Sequence, residues 1–335
     1  MIHGYRHFPV NVKMQKFLGR RFLPRWFCSK ATVYCERLAH RKLILLEGKD
    51  TLPFLQGILT NDTRHLANDP AASVRMTCMY SMMLNNLGRV LYDLILYKVD
   101  PTNENKLLLE CDEKARSEIM KLLSIYKLRK DVKIHLCDDT NVWAVFHPNH
   151  SPAVIPVEGD IRVNHRDPRL DLLGQRVLAH SKCDIAKENT HLRHSSTKEY
   201  TQLRYRLGVS EGVEEHPPGN CFPLECNADY MSGVSFHKGC YVGQELTART
   251  HHTGVVRKRI MPIVSLDYVL SDVPCDAPVK DQGGHTVGKY RAGLGQCGLG
   301  LLRVEESVKA QVLTVNSVRV STARPGWWPR KQHQG

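Results

Sequence analysis

The sequence predicts an α+β protein with an antiparallel β-barrel or sandwich at its C-terminal end, on three observations. Two apolar, β-prone runs, residues 76–84 and 89–99, flank an Asn-Asn-Leu-Gly turn, which is typical of a β-hairpin. A strand, helix, strand, strand pattern follows over residues 106–146. Over about residues 252–322, short β-prone runs are separated by glycine, proline and aspartate, as in small all-β domains.

The remaining elements follow from local signals. An apolar run at residues 43–46 predicts a buried strand, and Asp50 is placed to cap the short helix after it. The string Ser196-Thr-Lys-Glu199 is a capping box, which predicts a helix over residues 197–207. The polar residues 180–195 contain three irregularly spaced histidines, a pattern that favours a solvated insertion loop over a metal site.

Composition excludes several classes of protein. With 335 residues, of which 42% are hydrophobic and 24% charged, the chain is typical of a soluble globular protein of two or three domains. No apolar run approaches the roughly 20 residues that a membrane helix needs, so we expect no membrane span. Seven of the thirteen net positive charges lie in residues 1–35. Because the surplus in the rest of the chain is mild, we expect no nucleic-acid partner.

The two ends of the chain differ from its body. Residues 1–35 combine basic side chains with scattered phenylalanine, leucine and tryptophan and contain no acid, as mitochondrial targeting segments do. A basic arm that contacts phosphate is the alternative. Residues 323–335 combine proline, tryptophan and basic side chains, which predicts a poorly ordered tail.

Eleven cysteines are spread along the chain, and none forms a C-x-x-C pair. An odd number of scattered cysteines in a chain of this size favours free thiols in a reducing compartment, and the mitochondrial matrix fits both this pattern and the N-terminal segment. A metal site made of Cys221, Cys226 and Cys240 is an alternative, which the spacing disfavours because it is not that of a zinc knuckle and no fourth ligand is apparent.

The stretch with the most unusual chemistry is residues 236–249, which surround Cys240. Lys238 precedes the thiol, and positive neighbours lower the pKa of a thiol and favour the reactive thiolate. Gly239 and Gly243 predict an open or left-handed backbone that a partner can approach closely. A buried structural cysteine at a strand-to-helix turn is the competing interpretation.

The string Lys238-Gly-Cys-Tyr-Val-Gly-Gln-Glu245 resembles a motif of the YgfZ-type relatives of the glycine-cleavage T-protein, and within them the branch of mitochondrial iron–sulfur cluster assembly factors. Other segments resemble the same family in the same order, so that the resemblance covers about residues 38–305. These segments are Leu46-Glu-Gly-Lys-Asp50, Phe54-Leu-Gln-Gly57, Thr60-Asn-Asp62, Leu84-Asn-Asn-Leu-Gly-Arg-Val-Leu-Tyr-Asp93, Pro223-Leu-Glu225, Val287-Gly288 and Gly298-Leu-Gly-Leu-Leu-Arg303.

The resemblance implies an aminomethyltransferase-like multidomain ring with a C-terminal antiparallel β-barrel. Residues 36–250 would form a folate-binding-like α+β region of two interleaved subdomains, and residues 251–322 would form the barrel. In the T-protein the central opening holds tetrahydrofolate. The positions that match its pattern make Asp93, Arg204 and Glu225 the candidate folate-binding residues of this chain.

The chain departs from the T-protein pattern at this expected folate site. Tyr92 and Asp93 stand where the T-protein usually has two acids, and Arg206 replaces an acid expected to contact the pterin. A carboxylate can accept two hydrogen bonds from a pterin ring, whereas a guanidinium has donors only. The T-protein also has no counterpart of Cys240.

The resemblance implies a matrix factor that assists the assembly of four-iron clusters, with A-type scaffold proteins as partners and heme biosynthesis among the downstream pathways. Cys240 would contribute a thiolate to an iron–sulfur cluster shared with a partner, because one cysteine cannot supply the four ligands that a cluster needs. The supporting residues of the motif would be Lys238, Gly239, Tyr241, Gly243, Gln244, Glu245 and Arg249, with Glu245 paired to Arg249 one helical turn on.

Two other functions compete with this interpretation. The first is a tetrahydrofolate-dependent one-carbon transferase in which Asp93 positions the reactive folate nitrogen. The absence of a second acid and the presence of Arg206 count against turnover, so we expect a non-catalytic assembly factor on a transferase-like fold. The second is RNA binding, which rests on the basic surplus and on the remote kinship of this fold with a tRNA-modification domain.

Overall fold

The structure, a computed structural model, describes residues 32–69, 76–148, 154–195, 198–267 and 269–329. These residues form two five-stranded sheets, a closed six-stranded barrel and six α-helices. The predicted α+β class with a C-terminal antiparallel barrel is confirmed. Nearly all of the predicted targeting segment lies outside the described residues. In the described ranges, no helix combines the length and the hydrophobicity that crossing a bilayer requires.

Strands outnumber helices in the described chain. The strands are β1 Val33–Arg37, β2 Arg41–Glu47, β3 Cys78–Leu84, β4 Val90–Lys98, β5 Lys106–Asp112, β6 Lys133–Cys137, β7 Thr140–Phe146, β8 Ile161–Arg166, β9 Gln175–His180, β10 Leu192–His194, β11 Lys258–Ser265, β12 Pro278–Lys280, β13 Thr286–Leu294, β14 Cys297–Arg303, β15 Leu313–Val315 and β16 Val318–Thr322. The helices are α1 Thr51–Gln56, α2 Arg116–Lys127, α3 Ile185–Glu188, α4 Glu199–Leu207, α5 Gln244–Thr253 and α6 Val304–Ala310.

The chain contributes strands alternately to two sheets before it enters the barrel. The first sheet has the strand order β10-β1-β7-β9-β8, and the second has the order β3-β4-β5-β2-β6. Neighbouring strands are antiparallel except β1 and β10, which pair in parallel. The barrel closes in the order β11-β14-β13-β12-β15-β16. The first sheet therefore receives the strand that precedes the second sheet and the strands that follow it.

One apolar core joins all three units. Tyr80 of the second sheet, Phe146 of the first sheet and Ile260 of the barrel are buried in the same cluster. The second sheet has another core on its opposite face, which α1 and α2 cover. Every position of β3 is consequently buried. A strand that is covered on both faces lacks apolar–polar alternation, and this explains the continuous apolar run in the sequence.

Most local predictions are confirmed. Strands β3 and β4 form the predicted hairpin, and Gly88 at its turn has φ +74°. The helix predicted over residues 197–207 is α4, which begins at Glu199, and Gly208 ends it with φ +71°. The first two residues of the predicted capping box lie outside the described residues. Asp50 differs from its prediction, because its side chain makes no cap for α1. Its carboxylate accepts a hydrogen bond from the backbone N–H of Asp131 at 2.8 Å, beside strand β6.

The segment predicted as a solvated insertion, residues 180–195, is part of the first sheet. It contains α3 and the edge strand β10, and Leu192 is buried. The buried Asn189 holds the segment, since its side-chain amide donates to the carbonyls of Glu158 and Ile185 at 3.0 and 2.8 Å. Three residues of strand are too short to give a periodic pattern in the sequence, so the polar composition dominated the prediction.

The beginning of the predicted tail packs on the body of the protein. The indole N–H of Trp327 donates to the carbonyl of Leu207 at 2.8 Å. The ring of Trp328 lies 5.7 Å from that of Tyr230, centroid to centroid. The two tryptophans provide the apolar area that the basic composition around them conceals. Residues 330–335 lie outside the described part of the chain.

The loop that leads into α5 is fastened to the β3–β4 hairpin by close backbone contact. Gly243 has φ +77°, and a Cβ atom on it would lie 2.3 Å from the carbonyl oxygen of Asn85. A Cβ atom on Gly88 would in turn lie 2.8 Å from the carbonyl oxygen of Gly243. Gly239 has no such neighbour within 4 Å. Of the two glycines in the motif, Gly243 therefore serves contact within the chain, and only Gly239 is open to a partner.

This contact predicts opposite outcomes for two alanine substitutions. Gly243→Ala should lower the free energy of unfolding by about 2–4 kcal/mol, because it adds left-handed strain to a clash with a carbonyl. Gly239→Ala, at an exposed and unobstructed position, should change it by less than about 0.5 kcal/mol. Urea unfolding followed by circular dichroism measures both, and equal effects of the two variants would contradict this account of the loop.

Candidate functional site

Cys240 is exposed on the loop between residues 233 and 243, immediately before α5. Among the described cysteines, most are buried, and Cys240 and Cys275 are exposed. The loop follows the end of α1 through backbone hydrogen bonds. The N–H of Ser235 donates to the carbonyl of Thr60 at 3.0 Å, and the N–H of Val242 donates to that of Gly57 at 3.1 Å. The competing interpretation of Cys240 as a buried structural thiol is therefore wrong.

Lys238 anchors this loop from within. Its Nζ atom donates to three backbone carbonyls, those of Gln56 at 2.8 Å and of Leu59 and Asn61 at 2.7 Å. An ammonium group has three donors, and all three are used here. Burial lowers the pKa of Lys238 to about 8, although the Asp62 carboxylate opposes this shift because it favours the charged form. Lys238 therefore holds the loop that carries Cys240 and has no remaining N–H for the thiol.

The other motif residues divide into an inner and an outer group. The ring of Tyr241 is buried, and its centroid lies 4.8 Å from Nζ of Lys238. The backbone N–H of Tyr241 donates to Oε1 of Gln244 at 3.1 Å. Glu245 and Arg249 form the predicted ion pair at 2.7 Å on α5, with side chains 86% and 65% exposed. The inner group fixes the loop, and the outer group presents charge on the exposed surface of α5.

A groove of about 270 Å³ runs along α5. Its walls come from α5, from the loop at residues 222–225 and from residues 255–258, where the chain enters the barrel. Glu225 lines it, and the carboxylate accepts a hydrogen bond from the N–H of Phe222 at 2.9 Å. Burial raises the pKa of Glu225. Glu225 thus lies in the wall of a surface groove and is separate from the other two candidate folate residues.

A buried ion-pair network joins the two sheets. Four arginines and five carboxylates contribute to it: Arg41, Arg169, Arg176, Arg204, Asp93, Glu110, Asp167, Glu211 and Glu215. All nine side chains are buried. Asp93 and Arg204, two of the predicted folate residues, belong to this network.

Asp93 and Arg204 are already engaged by protein groups. Asp93 accepts hydrogen bonds from Arg41 at 3.1 Å and from the backbone N–H of Gly212 at 2.9 Å. Burial raises the pKa of Asp93, but Arg41, His216 and the Gly212 N–H together lower it by more, so that the net shift is downward. Arg204 donates to both oxygens of Glu215, at 2.7 and 2.9 Å. These partners within the protein already pair the charges of Asp93 and Arg204 that would otherwise be available to a pterin.

Arg206, which was expected to face a pterin, does not lie at the buried site. Arg206 is exposed on the outer face of α4, whereas Arg204, two residues earlier, points into the network. The buried acids of this region are Glu211 and Glu215, in the loop after the helix. The sequence analysis did not identify either acid. The one signal that could have indicated them is that they lie four residues apart, shortly after Gly208 ends the helix.

The disfavoured alternative of a Cys221–Cys226–Cys240 metal site is not present, since Cys240 lies apart from the other two. Cys221 and Cys226 instead lie with His216, their sulfur atoms 3.0 Å apart. Nδ1 of His216 is 3.3 Å from Sγ of Cys226 and 3.9 Å from Sγ of Cys221. The hydrogen bond from Cys226, and next the neighbouring His216, hold the pKa of the Cys221 thiol well below its ordinary value.

Two comparisons with known proteins agree with the barrel and the fold described above. The family model of the CAF17 C-terminal beta-barrel domain matches residues 257–330. The crystal structure of glycine cleavage system aminomethyltransferase T from Bartonella henselae superposes with a TM-score of 0.68 at 15% identity, over 89% of this chain and 87% of that chain. At that identity the likeness establishes the fold alone.

Relatives with higher identity extend over most of the chain. The mitochondrial iron–sulfur cluster assembly factor IBA57 of Homo sapiens is 39% identical over 306 residues, which are 88% of this chain and 85% of the relative. IBA57 of Mus musculus is 41% identical over 311 residues, with the same coverage. The IBA57 homolog of Mycosarcoma maydis is 30% identical over 360 residues, or 91% and 87% of the two chains. The protein therefore belongs to the IBA57 family of mitochondrial iron–sulfur cluster assembly factors.

Proposed function

We propose that this chain, a mitochondrial iron–sulfur cluster assembly factor, works in the matrix and contributes the Cys240 thiolate to a cluster shared with an A-type scaffold partner. The observation that carries the proposal is the exposure of Cys240 on a loop that Lys238 and Gly243 hold in place. A thiol kept for packing alone would lie inside, where most of the described cysteines lie.

Ligand count makes the site a shared one. Iron–sulfur clusters are usually held by four cysteine thiolates, and Cys240 supplies one. Among the described residues, the cysteine and histidine ligand atoms that cluster belong to His216, Cys221 and Cys226, apart from Cys240. The remaining ligands of a cluster at Cys240 would come from the partner. When the thiol binds iron as a thiolate, its proton passes to solvent.

The surroundings of Cys240 suit a partner that approaches closely. Gly239 is exposed and has open space where a side chain would be. The Glu245–Arg249 ion pair lies in solvent, where such pairs add little stability, so a partner can replace it with contacts of its own. We assign these three residues to partner contact, and Lys238 and Gly243 to support of the loop.

Cys240→Ala should abolish the cluster absorbance of the complex with a cluster-loaded A-type scaffold, because it removes the one ligand that this chain contributes. Visible absorbance after size-exclusion chromatography measures cluster retention, and far-ultraviolet circular dichroism checks the fold. Cys275→Ala is the matched control, since it removes the other exposed cysteine of the described residues and should leave the absorbance unchanged.

An equal amount of cluster in the complexes of wild type and Cys240→Ala would remove Cys240 from the proposal. Loss of absorbance in both cysteine variants would contradict a role specific to Cys240. Gly239→Leu tests the approach of the partner separately from the binding of iron by the thiol. It keeps the thiol but fills the open space at Gly239, and it should weaken complex formation.

Tetrahydrofolate-dependent one-carbon transfer fits these residues less well. A pterin that bound Asp93 would have to displace Arg41 and the Gly212 N–H, both of which already donate to it. Breaking a buried charge pair by removal of one partner costs about 3–5 kcal/mol. We propose that the network takes the place of a folate ligand.

Isothermal titration with a reduced folate should accordingly give no saturable heat with this chain. A glycine-cleavage T-protein titrated with the same ligand stock is the positive control. Saturable binding that Asp93→Asn abolishes would restore the folate interpretation.

A further inference from the structure

The side chains of His216, Cys221 and Cys226 form a cluster at a junction of the fold, separate from the proposed site at Cys240. It belongs to the loop between α4 and α5. The N–H of Val90, the first residue of β4, donates to the carbonyl of Cys221 at 2.9 Å. The N–H of Ile260 in barrel strand β11 donates to the carbonyl of Glu225 at 2.7 Å. The cluster therefore lies where the second sheet and the barrel meet the same loop.

The three ligand atoms have nearly the separations that a small thiophilic ion requires. With zinc–sulfur bonds of about 2.3 Å and a zinc–nitrogen bond of about 2.0 Å, tetrahedral geometry places nitrogen about 3.5 Å from each sulfur and the sulfurs about 3.8 Å apart. The observed nitrogen–sulfur distances, 3.3 and 3.9 Å, bracket the first value. The sulfur–sulfur distance of 3.0 Å would have to widen by about 0.8 Å, which is within reach of side-chain rotation.

Burial makes an ion-free cluster costly. His216 and Cys221 are each 2% exposed and Cys226 is 1% exposed. In the described part of the chain, Nε2 of His216 is buried and has no hydrogen-bond partner, and Nδ1 has only the two sulfurs as neighbours within hydrogen-bond distance. Nδ1 of an imidazole taken out of water with weak thiol contacts alone loses hydrogen-bonding free energy, which a metal–nitrogen bond at Nδ1 would replace. Nε2 lacks a partner among the described residues with or without the ion.

A disulfide between Cys221 and Cys226 is the competing use of this pair. It would shorten the 3.0 Å sulfur–sulfur distance to about 2.05 Å. It would leave the imidazole without a function, although Nδ1 faces both sulfurs. A reducing mitochondrial compartment also disfavours it. The position of His216 therefore favours the metal.

We propose that His216, Cys221 and Cys226 bind one divalent thiophilic ion of the Zn²⁺ class. Two thiolates and a neutral imidazole neutralise a divalent ion, and a neutral cluster is the charge state that a buried site tolerates best. Binding releases two thiol protons to solvent, and one coordination position remains for a small ligand. The ion would fix the loop that both the second sheet and the barrel contact.

The purified full chain, expressed with supplemental zinc and kept under reductant, tests the proposal. Native mass spectrometry should show the added mass of one zinc less two protons, and elemental analysis should give about one zinc per chain. Expression with cobalt should give thiolate-to-cobalt charge-transfer absorbance together with the visible bands of tetrahedral cobalt.

Variants identify the ligands. The double variant Cys221→Ala/Cys226→Ala should lose the zinc and the cobalt spectrum, whereas Cys240→Ala/Cys275→Ala should keep both. His216→Gln should retain the thiolates but weaken zinc affinity by at least about tenfold. The wild-type mass needs no variant, so the test remains valid if a buried substitution prevents folding.

Wild-type protein of unshifted mass without metal would overturn the proposal, as would retention of zinc by the Cys221→Ala/Cys226→Ala variant. A wild-type mass lower by two hydrogens, with Cys221 and Cys226 linked in one peptide, would replace the metal by a disulfide. Failure of Cys240→Ala to affect cluster binding would leave this site unaffected, because the two sites share no residue.

Discussion

Glu211 is the buried charge on which the arrangement of the two sheets depends. Oε2 lies 2.8 Å from Nη1 of Arg169 and also accepts from Arg176, while Oε1 lies 3.0 Å from Nε2 of His40. Arg169 and Arg176 come from the β8–β9 region of the first sheet, and His40 from the turn that leads into the second sheet. Because a lone carboxylate at this depth would be prohibitively costly, the sheets must keep the positions that bring these partners together.

The network also sets how this part of the molecule responds to pH. Burial by itself would raise the pKa of Glu211, but Arg176, Arg169 and Arg204 hold it well below its usual range. A depressed pKa means that the stabilising contribution is complete above the ordinary glutamate pKa. It is lost only as the pH falls through the lower value of the folded state. The junction between the sheets therefore remains charged and paired throughout the neutral range.

Ion pairs occupy the junction between the two sheets, and the thiol groups of interest lie in the two loops before α5. The loop with Cys240 is held from below by Lys238 and from the side by the contact of Gly243 with the hairpin turn. The preceding loop encloses Cys221 and Cys226 beside His216. Two thiol environments thus lie within twenty residues: one exposed on a rigid support, and one sealed at the junction with the barrel.

The sequence by itself determined the hairpin, helix α4 and most strands of the barrel, and it pointed to Cys240 as the candidate functional thiol. These depend on periodicity, turn chemistry and a contiguous motif, all of which are local. Tertiary structure decided the role of Lys238, whose carbonyl acceptors lie 177 to 182 residues away in the chain. It also decided the pairing of His216 with two cysteines, the place of Glu211 and the joining of β10 to the first sheet. Such contacts depend on how strands align and pack over long separations, and no local pattern encodes that alignment.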